Sequence, residues 1–477
     1  MRDLLVALFV LSSLPVAFKR PVAGLMVFSL FAYMRLQDLT WGFARSTRWS
    51  LYVALIMFAG WFLQRDRKGP VWTFRTALLF FLPVWMLIGL IESRGFLYAI
   101  TSKNLVEYTK IVAIALFSMM VIRRREHLRA MMWIVGGSFA FFGLKNGAAA
   151  IASGGSLYIN RGPGGMLEDN NDFALALAMS LPVLAALATS ETNGYYRKWL
   201  KAAAPLTIMS VLATRSRGGF LSVVIATFVI VWRSKNRVAG LALMGLAGTL
   251  GVIALANTGT LQRLETLKNV QEDGSAMGRI AAWKVAARMI EDQPFFGVGF
   301  NQFQRNYLQY GPRVEAREDG TRVAHNAYLQ IWSEGGTPAF VAYMLLLLIS
   351  IFSVQRLRRD ANRIYERSWI QSYCTGFEGA LVTFLLGSTF LNRAHFDLIY
   401  HYFALIISFE VIARREMANP LSSLESKKRG VGGTLLRREA RGFGSKPVMK
   451  RGFRNTDLTP RGFGAGGGTS LADKQES

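Results

Sequence analysis

Histidine is scarce in this chain, with four in 477 residues. One of them, His325, stands where a long polar stretch meets the apolar run Phe340 to Phe352. Histidine can take or give a proton near neutral pH, although a lone histidine at such a junction usually only anchors a helix end. Its company changes the reading. Arg217, in Ala213-Thr214-Arg215-Ser216-Arg217-Gly218-Gly219-Phe220, lies between two apolar runs with almost no room for a loop. An arginine so close to hydrocarbon snorkels, pairs or lines a polar cavity, and Arg215 competes for the same role. Arg279, in Gly278-Arg279-Ile280-Ala281-Ala282-Trp283, shares a helical face with Trp283, Ala286 and Ile290 before the helix closes at Asp292-Gln293-Pro294. The same pattern fits an amphipathic helix lying on a membrane with solvated arginines.

Two guanidiniums offer rigid forks for a diphosphate, and a neutral imidazole offers a base. Together they suit glycosyl transfer from a lipid diphosphate. Asn326 is placed to cap the helix that follows, and Gly335-Gly336 with Pro338 should break it about three turns on. Asn171 and Asp172 are read first as helix caps, with sugar binding or ordering of Arg217 as the other use. His395 and His401 read as interfacial beside Tyr400 and Tyr402, and His127 falls at the opposite face.

These residues must be held by membrane helices. The chain is 52% hydrophobic, with a mean hydropathy of +0.26, too apolar for a soluble globule. An all-α, polytopic membrane fold is expected. Spans are expected near 3–18, 21–35, 50–64, 74–92, 104–122, 129–150, 172–189, 200–214, 217–233, 238–257, 326–353, 371–391 and 397–413. That makes about 12–13 helices, the first two being either tilted helices or one broken at Lys19-Arg20-Pro21. Residues 1–150 form an amino-terminal membrane region, 151–413 the region carrying the chemistry and 414–477 a tail.

Basic clusters at Arg65 to Lys68, Arg123 to Arg125, Arg197-Lys198, Arg233 to Lys235 and Arg356 to Arg359 place those loops and the tail in the cytoplasm. The loop at 153–171, the turn at Arg215 to Arg217, the long segment 258–325 and the turn Asn392 to His395 then lie on the extracytoplasmic face. No cleavable signal peptide is expected, because Lys19-Arg20 follows the first apolar run. The tail repeats Arg-Gly-Phe at 441–443, 451–453 and 461–463, a composition that buries no core and should be disordered. Anionic membrane lipid is its expected partner, rather than nucleic acid. One cysteine, Cys374, and no paired histidine spacing lead to an expectation of no protein-ligated metal and no cofactor, with Glu265, Glu272 and Asp273 as the acids that would compete.

The ordered set Ser216-Arg217-Gly218, Arg279-x-x-x-Trp283, Gln293-Pro294-x-x-Gly297-x-Gly299, His325-Asn326-x-Tyr328-Leu329 and Glu334-Gly335-Gly336 resembles the O-antigen ligase and polymerase superfamily. The likeness covers about 165–410, beginning with Asp169-Asn170-Asn171-Asp172-Phe173-Ala174. Met1-Arg2-Asp3-Leu4-Leu5 with Leu39-Thr40-Trp41-Gly42-Phe43-Ala44 resembles the branch of exosortase-associated O-glycosylation ligases.

The resemblance implies a metal-independent, inverting enzyme of the bacterial inner membrane. Arg217 and Arg279 would bind the diphosphate of an undecaprenyl-diphosphate-linked glycan, and His325 would activate a hydroxyl on a lipid, protein or glycan acceptor. A polymerase of lipid-linked repeats would use the same chemistry. A polysaccharide transporter is the competing class, and it is disfavoured by the lack of repeats and by polar residues gathering at one face.

Overall fold

The computed structural model describes residues 1–242, 244–245, 274–311, 321–364 and 369–418. The tail, most of the expected span at 238–257, and the acids Glu265, Glu272 and Asp273 lie outside these. Among the described residues the chain is helical, with one isolated bridge, Arg161 to Asp169, in place of any strand.

The amino-terminal part runs through α1 (Arg2–Lys19), α2 (Pro21–Tyr33), α3 (Phe43–Ser46), α4 (Trp49–Leu63), α5 (Phe74–Arg94), α6 (Phe96–Thr101), α7 (Lys103–Val121) and α8 (Arg125–Ala152). Then come α9 (Asn170–Ser190), α10 (Gly194–Ala213), α11 (Arg217–Trp232), α12 (Gly274–Asp292), α13 (Phe303–Tyr310), α14 (Ala327–Ile364), α15 (Trp369–Gly387) and α16 (Asp397–Ala418). Five of them, α5, α7, α8, α9 and α14, are long and apolar enough to cross a membrane, and α2, α4 and α11 are shorter apolar helices. The chain is a multi-pass, all-α membrane protein. The first apolar stretch is two helices, separated at Arg20, with Pro21 opening α2.

The centre is α9. It is apolar on every side, and almost all of Asp172 to Ala188 is buried. Such a helix belongs inside a bundle, and α8, α10, α11 and α15 surround it. Residues Met1–Asn419 form one compact unit.

Polar residues do not collect at one end, contrary to the sequence expectation. Glu378, 3% exposed in the middle of α15, accepts from Arg233 at the end of α11 and from Gln355 and Arg358 of α14, the last two at 3.0 Å each. In a second polar cluster Arg75 meets Glu410 at 2.5 Å and Ser353 at 2.7 Å. A buried carboxylate is tolerated only with such partners.

The two amino-terminal segments that carry the branch resemblance meet in space. Asp3 Oδ1 accepts from the backbone N–H of Gly42 and of Ala44, both at 3.0 Å, and the Arg2 guanidinium lies 4.5 Å from the Trp41 ring centroid. Their residue types therefore serve a clamp between α1 and the chain entering α3.

Candidate functional site

The site is built from four chain segments, linked to the amino-terminal end of α9 by Asn171, Asp172 and the charge of Asp169. The first supplies the cap. Asp169, rather than Asn171 or Asp172, accepts from the backbone N–H groups of Asn171 (2.8 Å) and Asp172 (3.3 Å). The capping expectation for Asn171 and Asp172 is thereby corrected: both lie inside the helix, which frees their side chains for tertiary contacts. Asp172, 3% exposed, forms an ion pair with Arg393 in the turn before α16. Asn171 Oδ1 accepts from Ser216 Oγ at 2.7 Å.

Ser216 is the second element. It caps α11, its hydroxyl accepting from Gly219 N at 3.0 Å, so Arg217 opens the first turn of α11. Arg217 therefore stands beside the α9 cap, with its side chain exposed. Arg215 holds a left-handed backbone, φ 52°, and lays its guanidinium 5.1 Å from the Tyr158 ring centroid, with Nη2 at 3.5 Å from Ser156 O. It points to the 153–169 loop.

The third element is a small satellite core. Ala282, Val285, Ala286 and Met289 of α12 pack with Val298, Phe303, Tyr307 and Ala324. Tyr310 donates to Asp292 Oδ2 at 2.5 Å and Arg288 donates to Tyr310 O at 2.7 Å, which ties α13 to α12. The buried stripe of α12 is thus one position off the face read from sequence, and Arg279 and Trp283 flank it half-buried. The Trp283 indole N–H is buried with no partner among the described residues.

Ala324 sits in this core, and the next residue is His325, held left-handed at φ 48°. A non-glycine residue in that region is strained, and such strain gathers at functional sites. Asn326 caps α14 as expected, accepting from Tyr328 N (2.9 Å) and Leu329 N (3.1 Å). Burial, then the charges of Arg279 and Arg322, hold the His325 imidazole below the usual histidine range, against the opposing charge of Asp169. It is accordingly neutral, and able to accept a proton, at neutral pH. The electrostatics also locate it: Arg279, Arg322 and Asp169 all act on this ring.

Arg322 was not picked out from sequence. Its guanidinium lies so close to Gly278 that a Cβ there would stand 1.7 Å from Nη1. A glycine directly before Arg279 was the available signal. Arg393 was missed too, because its partner lies 221 residues away.

The fourth element is the break in α14. Gly336 has φ 70° and ψ −177°, which interrupts the helix where Gly335-Gly336-Pro338 predicts. The segment after α12 fills the gap: Val298 N donates to Ser333 O and Thr337 N to Pro294 O, both at 2.8 Å. Trp85 Nε1 donates to Gly335 O at 2.8 Å. Below it Glu334, 3% exposed, faces His395 with Oε2 at 3.6 Å from Nε2. His395 packs against Tyr108 and Phe300, and His401 is buried between Tyr33 (2.6 Å) and Ser118 (3.1 Å). Both therefore pack against side chains of the bundle, His395 from the turn before α16 and His401 from within α16, whereas the sequence reading set them at the membrane surface.

The fold is a helical membrane bundle in which Arg279, Arg322 and Asp169 all act on one histidine, His325. Comparison with known families bears on what such a bundle does. Residues 202–344 match the O-antigen ligase family, and residues 1–184 match a family of unknown function. The first match spans Arg215, Arg217, Arg279, Trp283, His325 and Asn326, and it supports the superfamily that the motifs resemble. That family implies a membrane glycosyltransferase or ligase with a lipid-linked glycan donor and an acceptor. Comparison with curated proteins gives no match.

Proposed function

We propose that the chain transfers a glycan from an undecaprenyl-diphosphate-linked donor to an acceptor hydroxyl, inverting the anomeric carbon, without a metal, on the extracytoplasmic face of the bacterial inner membrane. The observation that carries this is His325. It is a strained, half-buried imidazole kept neutral beside Arg279 and Arg322 and opposite Asp169, within the matched region.

His325 removes the acceptor proton as its oxygen attacks the anomeric carbon. The C–O bond to the diphosphate breaks on the other side, and the electron pair leaves with undecaprenyl diphosphate. Arg217 and Arg279, with Arg322 beside Arg279, take up that charge through planar forks. Because the leaving group departs as a stabilised anion, no general acid is required. Asn171 holds Ser216 and so sets the turn bearing Arg217, while Asp172 fixes Arg393 rather than contacting sugar. The exosortase-associated branch is carried into this reading by the two amino-terminal segments, and anionic lipid remains the proposed partner of the basic tail.

The test is reconstituted transfer with purified protein, lipid-linked donor and acceptor. His325→Ala should stay folded and membrane-inserted yet lose about 100-fold or more in rate, as for a lost general base. Near-normal transfer by the variant refutes the assignment. Product length decides between ligase and polymerase: a single transferred glycan supports ligation, and a ladder of repeats on the lipid carrier supports polymerisation.

A further inference from the structure

A cavity of about 690 Å³ opens in the amino-terminal region, away from the His325 loop. That size lies within the range of small-molecule sites. Its floor is α2, which packs on both α4 and α7. Phe28, Ala54, Phe58 and Ile111 supply apolar walls. Phe58 is backed by Phe117, with ring centroids 4.5 Å apart. From Arg48 at the mouth to Phe58 the slot is about 15 Å long at the α-helical rise. Leu51 and Leu55 are exposed along its rim, so it is open sideways to the surroundings of the bundle.

The mouth is basic. Arg35, Arg45, Arg48 and Lys110 line it. Arg35 is paired with Asp38 at 2.7 Å, Lys110 with Glu107 at 2.7 Å, and Arg45 stands 4.0 Å from Asp38. The four cations thus outnumber the three acids Asp38, Glu107 and Asp397, and Arg45 and Arg48 are both exposed. Asp397, on the inner wall, has the Arg393 and Arg35 charges beside it. Ser29, 1% exposed, lines the cavity with a hydroxyl that has no partner among the described residues. A cleft with apolar walls that opens sideways and carries exposed Arg45 and Arg48 at its mouth fits a lipid with an anionic head, and two neighbouring guanidiniums match the two phosphates of a diphosphate better than the single phosphate of a phosphodiester lipid.

The cavity is also joined to the site. The Arg35 guanidinium lies against Gly165, where a Cβ would stand 2.6 Å from Nη1. Gly165 belongs to the loop that ends at Asp169, the α9 cap facing His325.

We propose that this cleft is a second binding site for a polyprenyl diphosphate, its chain between α4 and α7 and its phosphates on Arg45 and Arg48, distinct from the Arg217–Arg279 site. The identity of the lipid rests on the proposed function, while the site itself rests on the cleft. Two phosphate oxyanions on two exposed guanidiniums give charge-assisted hydrogen bonds, and the prenyl chain gains by leaving polar surroundings for apolar walls.

The experiment measures binding of a glycan-free fluorescent polyprenyl diphosphate to the full chain in detergent. Arg45→Glu with Arg48→Glu, both surface changes, should weaken binding about tenfold or more. Ala54→Trp, which fills the slot, should do the same, and Arg217→Ala should retain a bound equivalent of probe. Unchanged binding in the Arg45/Arg48 variant overturns the proposal. So does phosphatidylglycerol that displaces the probe mole for mole, since the occupant would then be bulk phospholipid. Wild-type protein that binds the probe but transfers no glycan would refute the proposed function and leave the cleft standing. Transfer with the cleft variants binding normally would do the reverse.

Discussion

The break in α14 should be costly to repair, and Gly336→Ala measures the cost. At φ 70° and ψ −177°, Gly336 occupies a region essentially closed to residues with a Cβ. The conformation alone should cost about 1–3 kcal/mol. A Cβ would also stand 2.0 Å from Phe295 O, a backbone atom that cannot rotate away. Making room means separating the 293–299 segment from α14, and the bonds at risk are Val298 N to Ser333 O and Thr337 N to Pro294 O. At about 0.5–1.5 kcal/mol net for each of the two bonds, the expected total is about 2–6 kcal/mol. The control is Gly137→Ala in the interior of α8, where an added Cβ meets nothing within 4 Å. That change should stabilise by about 0.5–1 kcal/mol through helix propensity. Thermal unfolding of both variants in the same detergent gives the comparison, with Gly336→Ala several degrees below wild type and Gly137→Ala at or above it. Coincident melting of the two variants, within about 1 °C, would mean that the break is not locked by the loop and would refute the reasoning.

Transfer should fall on the acid side as His325 becomes protonated, with the midpoint below the ordinary histidine value because burial and the Arg279 and Arg322 charges disfavour the cation. Arg322→Gln should therefore move that limb of the pH–rate profile upward, and a downward or absent shift would remove Arg322 from the site. Arg217→Lys and Arg279→Lys keep the charge but lose the fork, so each should impair kcat/KM, whereas Arg215→Ala, whose side chain turns to Tyr158, should be milder; full activity with both lysines would show that charge alone suffices. Transfer by purified protein should be equal with and without EDTA, and loss in EDTA rescued by a divalent ion would make Glu265, Glu272 and Asp273 the residues to examine.

Local signals were legible in the sequence and long-range ones were not. The Asn326 cap, the end of α12 at Asp292 and the Gly336 break each follow from chemistry within a few residues. Apolar periodicity likewise gave the class of fold. Asp172 and Asn171 were misread because the cap preference of Asp and Asn does not say which of four neighbouring polar residues, Asp169 to Asp172, takes the cap. Neighbouring tyrosines suggest a membrane-surface place for His395 and His401, but their packing partners, Tyr108 and Phe300 for the one and Tyr33 and Ser118 for the other, come from distant helices and leave no local signal. Arg393 became visible only when the chain was folded, since it acts on Asp172 of another element, and Arg322, though three residues from His325, only when it was seen against Gly278 of α12.

The Glu378 cluster has a bearing on how the chain enters a membrane. A carboxylate near the centre of a helix is expensive to place in hydrocarbon, by about 2.5–3.5 kcal/mol on insertion scales. The chain is made from its amino terminus, so Arg233 and then Arg358 are already inserted when α15 emerges with Glu378. The acid thus arrives at a berth that holds its counter-charges, whereas the two arginines, close to their helix ends, can wait at the headgroups. Order of synthesis lowers the barrier that composition alone would impose. Moving α15 ahead of α11 and α14 by circular permutation would keep every contact of the finished bundle and forfeit that advantage.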